Sequence, residues 1–291
     1  MKKLYGTGVA LITPFNKNGT IDFNGLEKLV KYVEKYVNYL VILGTTSEVS
    51  TLNNEEKNEI IEFIKNINHK KLPLVLGLGG NNTKEIIKKI NNINLSDFSA
   101  ILSVTPYYNK PSQEGIYQHF KSIVNNTNAN IILYNVPKRT GTNINTDTII
   151  RLANDFPTII GIKEASGNIL QYYKIISQKP KNFSVICGDD FLILPIILGG
   201  GDSIISVIAQ GFPKEISQLI YFLKKNKINK ASSIFYKMIK MIDLIYEEGN
   251  PTGIKTLLSI IGICYSNVRL PLVNGTLMLK KKIQKLFKKI N

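Results

Sequence analysis

Eight short, β-branched apolar runs punctuate the 291-residue chain: GVALITPF, LVILGTTS, LPLVLGLGG, AILSVTPYY, NIILYNVP, TIIGIKEASG, FSVICGDD and DSIISVIAQ. Between them lie segments such as FNGLEKLVKYVEKYV, whose apolar residues fall three and four apart, as on one face of a helix. Continuous apolar strands that alternate with amphipathic helices build a parallel sheet covered on its outer face. Eight such units in this length predict an α/β chain closed into a (β/α)8 TIM barrel. An open, doubly wound sheet is the alternative, but the glycine-rich dinucleotide turn that should follow its first strand is missing, since GTGVA is expected to precede that strand. From about Lys214 the pattern is helical only, with EGNPTGIKTLLSIIGI as a turn and a helix. Residues 1–213 are therefore read as the barrel that carries the active site, and 214–291 as a small C-terminal helical segment.

A hydrophobic content of 44% supplies a sizeable core, yet the longest apolar runs, such as FLILPIILGGG, are broken by Pro195 and glycines. They fall short of the roughly twenty residues that a membrane span needs, and no membrane segment is expected. The start, MKKLYGTGVALITPF, has the basic opening and apolar run of a signal peptide, but Gly6, Gly8 and Pro14 interrupt it and no small-residue cleavage site follows. It reads as the first strand. Cys187 and Cys264 stand far apart in apolar surroundings and form neither a disulfide framework nor a metal cluster, which fits a reducing cytoplasm. The formal charge of +16 raises nucleic acid as a partner. Most of the lysines are dispersed along helical segments, however; only KKKIQKLFKKI is dense and no basic–aromatic pattern recurs, so no nucleic-acid partner is expected. The abundance of Ile, Asn and Lys reads as codon bias. Arginine occurs only at Arg139, Arg151 and Arg269, so each of those places calls for a reason.

In a barrel of this kind the reactive groups sit at the C-terminal ends of the strands. Thr45 and Thr46 end the second run, Tyr107 and Tyr108 the fourth, Tyr134 the fifth and Lys163 the sixth; Gly188 and Asp189 end the seventh, and Ser206 lies near the end of the eighth. One amine is thus ringed by hydroxyls. The Ile and Val around Lys163 disfavour an ammonium, and a neutral amine can attack a ketone. Taken alone, Lys163 could equally cap a strand in solvent with Glu164 as its ion pair. His69 and His119 are placed on helices away from the rim, and no His–Glu pair or carboxylate cluster shares it, so no metal, no Ser-His-Asp arrangement and no cofactor is expected. A neutral lysine among phenol and alcohol groups suits Schiff-base chemistry, in which the iminium becomes an electron sink and the hydroxyls shuttle protons.

GTTSEVSTL, VTPYYNKPSQEGIYQHF, YNVPKRTG, IGIKEASGN and GDD resemble the motifs of the dihydrodipicolinate synthase family, and the likeness runs from the first strand to past the eighth. The resemblance implies a pyruvate-dependent, class I aldolase-like enzyme that condenses pyruvate with aspartate 4-semialdehyde on the route to lysine. It implies that Lys163 forms the imine and that Tyr134 moves protons at it. Thr45 would connect Tyr134 to Tyr108, which reaches in from a neighbouring subunit of a homo-oligomer, a tetramer built as a dimer of dimers. Thr46 would hold the pyruvate carboxylate, and Gly188 and Ile205 would line the pyruvate pocket. The related N-acetylneuraminate lyases typically lack an arginine at the place of Arg139, whose planar guanidinium can grip the second substrate's carboxylate with two parallel hydrogen bonds. Another pyruvate-linked lyase or aldolase, and a basic scaffold or RNA-binding protein on a retained barrel, are the competing readings. In lysine-inhibited relatives an allosteric lysine sits at the dimer interface, near positions matching Val49, Ser50, Asn54, Lys57, Asn81, Glu85 and Tyr107. Val49 removes a hydroxyl there and Lys57 adds a cation, so weak or absent feedback by lysine is expected. Ser47 stands where the commonest family form has glycine, which bears on the geometry of the turn at Thr46.

Overall fold

In the computed structural model, which describes residues 4–290, eight strands hydrogen-bond in chain order and close into a parallel barrel. They are β1 (Gly6–Ala10), β2 (Tyr39–Ile42), β3 (Leu74–Gly77), β4 (Ala100–Val104), β5 (Ile131–Asn135), β6 (Ile159–Glu164), β7 (Ser184–Cys187) and β8 (Ser203–Ser206). The helices are α1 (Phe23–Val33), α2 (Asn54–Ile67), α3 (Thr83–Asn91), α4 (Gln113–Val124), α5 (Pro137–Thr140), α6 (Thr146–Asp155), α7 (Ile169–Gln178), α8 (Ile193–Leu198), α9 (Pro213–Lys224), α10 (Ile228–Glu247), α11 (Thr252–Ile260) and α12 (Leu277–Ile290). Each of the eight apolar runs overlaps one strand, six of them enclosing it whole while β1 and β2 begin before theirs, and the expected barrel is the fold observed.

Five of the helices begin where a side-chain acceptor satisfies a first-turn amide. Asp22, Asn53, Asn82, Ser112 and Asn168 cap α1, α2, α3, α4 and α7, and Asn53 forms a reciprocal capping box with Glu56. Two sequence expectations are corrected. GTGVA does not precede the first strand but is that strand, β1. Its Gly8 answers a packing demand rather than a turn, because a Cβ there would run into the Tyr39 ring of β2. Met1–Lys3 of the segment read as the first strand lie outside the described residues. His69 does not sit on a helix either: α2 stops at Ile67, where the cap residue Asn68 instead bonds the main chain of Leu72.

The chain divides into two compact units, Met1–Tyr5 with Pro73–Ile205 and Gly6–Leu72 with Ser206–Asn291. In the first, β3 to β7 pair in parallel register, with Val104 beside Tyr134, Tyr134 beside Lys163, and Lys163 beside Ile186. The fully buried Ile101, Ile131, Leu133, Ile162 and Val185 form the strand core there. In the second unit, α1 and α9 bury Leu29, Val30, Ile216 and Leu219, and the dense lysine segment is α12, whose Leu279 and Ile283 are buried while its lysines face outward. Among the described residues no helix is long and apolar enough to cross a membrane.

Candidate active site

Side chains alternate between the two faces of a strand, so neighbours in sequence look in opposite directions. That alternation separates Lys163 from Glu164. Glu164 meets the helical layer, where its Oε2 accepts from Asn135 Nδ2 and from Gln171 Nε2 of α7, both at 2.9 Å, and its Oε1 accepts from the Ser166 amide at 2.7 Å. Asn143 joins the same network through Asn135 at 2.8 Å and Gln171 at 3.0 Å. Lys163 takes the other face, toward the barrel interior, and is only 6% exposed. Its partner is Tyr134, one strand away, whose ring centroid lies 4.3 Å from Nζ. The solvent-cap reading, with Glu164 as ion pair, does not describe this arrangement.

Gly188 and Tyr172 shape the end of the strand that carries the lysine. Gly188 leaves room for it: a Cβ at that position would lie 2.9 Å from Lys163 Cε and 3.0 Å from the Glu164 carbonyl oxygen. The Gly188 amide donates to that carbonyl at 2.8 Å, and the Tyr172 hydroxyl of α7 donates to it as well, so both lone pairs are used and the end of β6 is held. Cys187, next to Gly188, is not a rival nucleophile, because burial pushes its thiol up to about 12 and its Sγ donates to the Asp189 carbonyl at 3.2 Å.

Arg139 is exposed on α5, and Ile205 is buried on β8. Tyr108 is held at φ 74° and is 85% exposed, projecting away from its own chain rather than packing on it, while Tyr107 is partly exposed and its carbonyl accepts from Asn81 Nδ2 at 3.4 Å. Glu85 lies exposed in the first turn of α3. His119 is buried on α4, its Nδ1 2.8 Å from Thr83 Oγ1, and burial lowers it to about 4, which keeps it neutral. Among the described residues no three His, Cys, Asp or Glu side chains gather where they could hold a metal ion.

In the second unit, Thr45–Ser47 form one turn of 3₁₀ helix directly after β2, and Val49–Thr51 form another. Thr46 is buried and Thr45 half-buried; Val49 and Lys57 are half-buried, Ser50 and Asn54 exposed. Ser47 fits without glycine because the left-handed residue is Glu48, at φ 56°, while the Ser47 hydroxyl donates to the Gly44 carbonyl at 2.6 Å. Behind the turn stands a cluster that sequence reasoning missed. Lys255 Nζ meets Glu48 Oε1 at 2.5 Å, with side-chain exposures of 0% and 1%. The Arg269 amide donates to Glu48 Oε2 at 2.9 Å, and its guanidinium bonds the Thr51 carbonyl, the Gly19 carbonyl and the Glu56 carboxylate. The Phe15 ring lies 4.1 Å from Lys255 Nζ and 4.4 Å from Arg269 Cζ. Burial lowers the Lys255 ammonium from its ordinary value, with Glu48 opposing the shift. The scarcity of arginine was the signal that could have found Arg269. Arg151 is a surface residue, bonded to Glu114 at 2.6 Å and stacked 3.5 Å from the Tyr117 ring centroid.

Burial raises the Glu164 carboxyl above its ordinary 4.5 despite the hydrogen bonds that oppose the shift. The folded chain therefore holds that proton to higher pH than the unfolded one, and the contribution of Glu164 to stability falls as pH rises from 4.5 through its raised value. Urea unfolding of the native chain and of Glu164→Gln at stepped pH tests this. The native chain is expected to lose stability relative to the variant across that window, and a difference that stays flat or runs the other way contradicts it.

The chain is similar to known proteins along most of its length. The chain is 57% identical over 285 residues to the 4-hydroxy-tetrahydrodipicolinate synthase of Karelsulcia muelleri, covering 97% of this chain and 96% of that protein. It is 50% identical over 275 residues to the enzyme of the same name from Flavobacterium psychrophilum, covering 94% of each. A solved structure of the chloride-inhibited dihydrodipicolinate synthase from Acinetobacter baumannii, complexed with pyruvate, superposes with a TM-score of 0.94 at 35% identity over 99% of both chains. Since the model of the dihydrodipicolinate synthetase family matches residues 3–290, the chain belongs to that family.

Proposed function

We propose that this enzyme condenses pyruvate with L-aspartate 4-semialdehyde in the biosynthesis of lysine and diaminopimelate, to give 4-hydroxy-tetrahydrodipicolinate, the product for which its curated relatives are named. The observation that carries the chemistry is the buried Lys163 amine set over the Tyr134 ring at the C-terminal end of β6. Nζ adds to C2 of pyruvate, the carbinolamine loses water, and the resulting iminium accepts the electron pair left when a C3 proton departs. The C3 carbon then attacks the aldehyde. Ring closure by the amino group of the semialdehyde at C2 displaces Lys163 and releases the free enzyme. Tyr134 is the proton donor and acceptor at the imine, with Thr45 and a neighbouring subunit's Tyr108 completing the relay. Thr46 holds the pyruvate carboxylate by hydroxyl and amide, while Gly188 and Ile205 line the pocket by backbone groups.

The strained, exposed Tyr108 supports an assembly in which it serves another subunit, and we place it in a homotetramer built as a dimer of dimers. Arg139, exposed on a short helix directly after the strand of Tyr134, is the carboxylate clamp for the second substrate. The barrel, taken as residues 1–213, carries this chemistry, with 214–291 as the helical appendage. Two free cysteines are in keeping with a reducing, cytoplasmic setting.

Incubation with pyruvate followed by borohydride reduction, read by mass, is expected to label Lys163 and to leave Lys163→Ala unlabelled. Arg139→Ala is expected to keep the label and to lose roughly 100-fold in kcat/KM for the semialdehyde, the size of two hydrogen bonds to a charged group. Full semialdehyde activity in the arginine variant would overturn the substrate assignment. The positions matching the lysine site offer no hydroxyl at Val49 and an added cation at Lys57, so feedback is weak. Titration of L-lysine against initial rate is expected to show no half-inhibition below the millimolar range, and inhibition well below it contradicts this reading.

A further inference from the structure

The turn that carries Thr45 and Thr46 contains two non-glycine residues in the left-handed region, Leu43 at φ 52° and Glu48 at φ 56°. The groups that hold it come from far along the chain. Lys255 lies 207 positions from its ion-pair partner Glu48 and also donates to the Asn267 carbonyl at 2.8 Å. Arg269 bonds both Glu48 and the Thr51 carbonyl at 2.9 Å, one at each end of the second 3₁₀ turn. Asn250 Nδ2 donates to Thr46 Oγ1 at 3.0 Å. For packing alone, an apolar pair of the same volume would fill the place of Lys255 and Glu48 as well, whereas a fully enclosed ion pair fixes one geometry.

We infer that Lys255 and Asn250 are positioning residues for the carboxylate of the 2-oxo acid. Lys255 acts through Glu48, which it locks in the left-handed conformation that sets the direction of the preceding Thr45–Thr46 turn. Asn250 acts through Thr46: by donating to the hydroxyl oxygen it takes up a lone pair and leaves the hydroxyl proton to point at a ligand oxygen. The inference rests on the reading of Thr46 as the carboxylate-binding residue. It adds two residues of the C-terminal helical region to the machinery of the first step, neither of which takes part in bond making.

The test is borohydride trapping of the full chain as a function of pyruvate concentration, comparing native protein, Lys255→Met and Asn250→Ala. A positioning role shifts the half-saturating pyruvate concentration, by about tenfold for the loss of one hydrogen bond to a charged group, while the labelled fraction at saturation stays full. A merely structural role lowers the labelled fraction and leaves the half-saturation point in place. That outcome in both variants overturns the inference. Should Lys255→Met fail to fold, Asn250→Ala decides alone, because it leaves the ion pair intact: a rise of several-fold supports the inference and an unchanged value overturns it. Native protein that is not labelled at all would overturn the proposed function and this inference with it, whereas labelled native protein with unshifted variants overturns the positioning roles alone.

Discussion

The chemistry depends on the parallel register of β5, β6 and β7. With Tyr134 beside Lys163 and Lys163 beside Ile186, the strand period of two sends the amine to the barrel interior and the adjacent Glu164 to the helical layer. A slip of one residue would exchange them, putting a carboxylate against the tyrosine ring and the ammonium among Asn135, Asn143 and Gln171. The polar network around Glu164 opposes that slip, since its three donors suit a carboxylate and would repel a cation. Gly188 and the Tyr172 hydroxyl complete the constraint by closing on the Glu164 carbonyl. The Lys163 amine is thereby kept apart from the Glu164 carboxyl, although the two are neighbours in sequence.

A second constraint acts on the turn after β2. Two left-handed non-glycine residues cost about 1–3 kcal/mol each, and they persist only where the surroundings over-determine them. The enclosed Lys255–Glu48 pair and the Arg269 contacts provide that over-determination. Removal of one partner of such a pair costs about 3–5 kcal/mol, because the other charge is left buried and alone. The Thr45–Thr46 turn is therefore coupled to the stability of the helical region that supplies Lys255, Asn250 and Arg269.

The strands were legible because β-branched apolar runs have few other uses, and the helices because their apolar residues recur three and four apart. GTGVA was misplaced since its glycines resemble turn residues, and only the Tyr39 ring packed on Gly8 explains one of them inside a strand. Lys163 and Tyr134 could be proposed from where their runs end, and family motifs assigned their roles. Their mutual distance could not be read, because it follows from register. Lys255 and Asn250 left no local signal: each sits in a helical or turn segment of ordinary composition, and its partner lies about two hundred residues upstream. Ser47 looked unfavourable beside the commoner glycine. The structure removes the difficulty by placing the left-handed conformation one residue later, at Glu48.

The proposed chemistry requires that the Lys163 amine become covalently joined to a 2-oxo acid inside the barrel. A crystal structure of the enzyme soaked in pyruvate tests it most directly. Continuous density is expected from Lys163 Nζ to C2 of the acid, with the Tyr134 hydroxyl within hydrogen-bonding distance of the new bond. Unattached pyruvate beside an unmodified Lys163, or a lysine turned out to solvent, would contradict it.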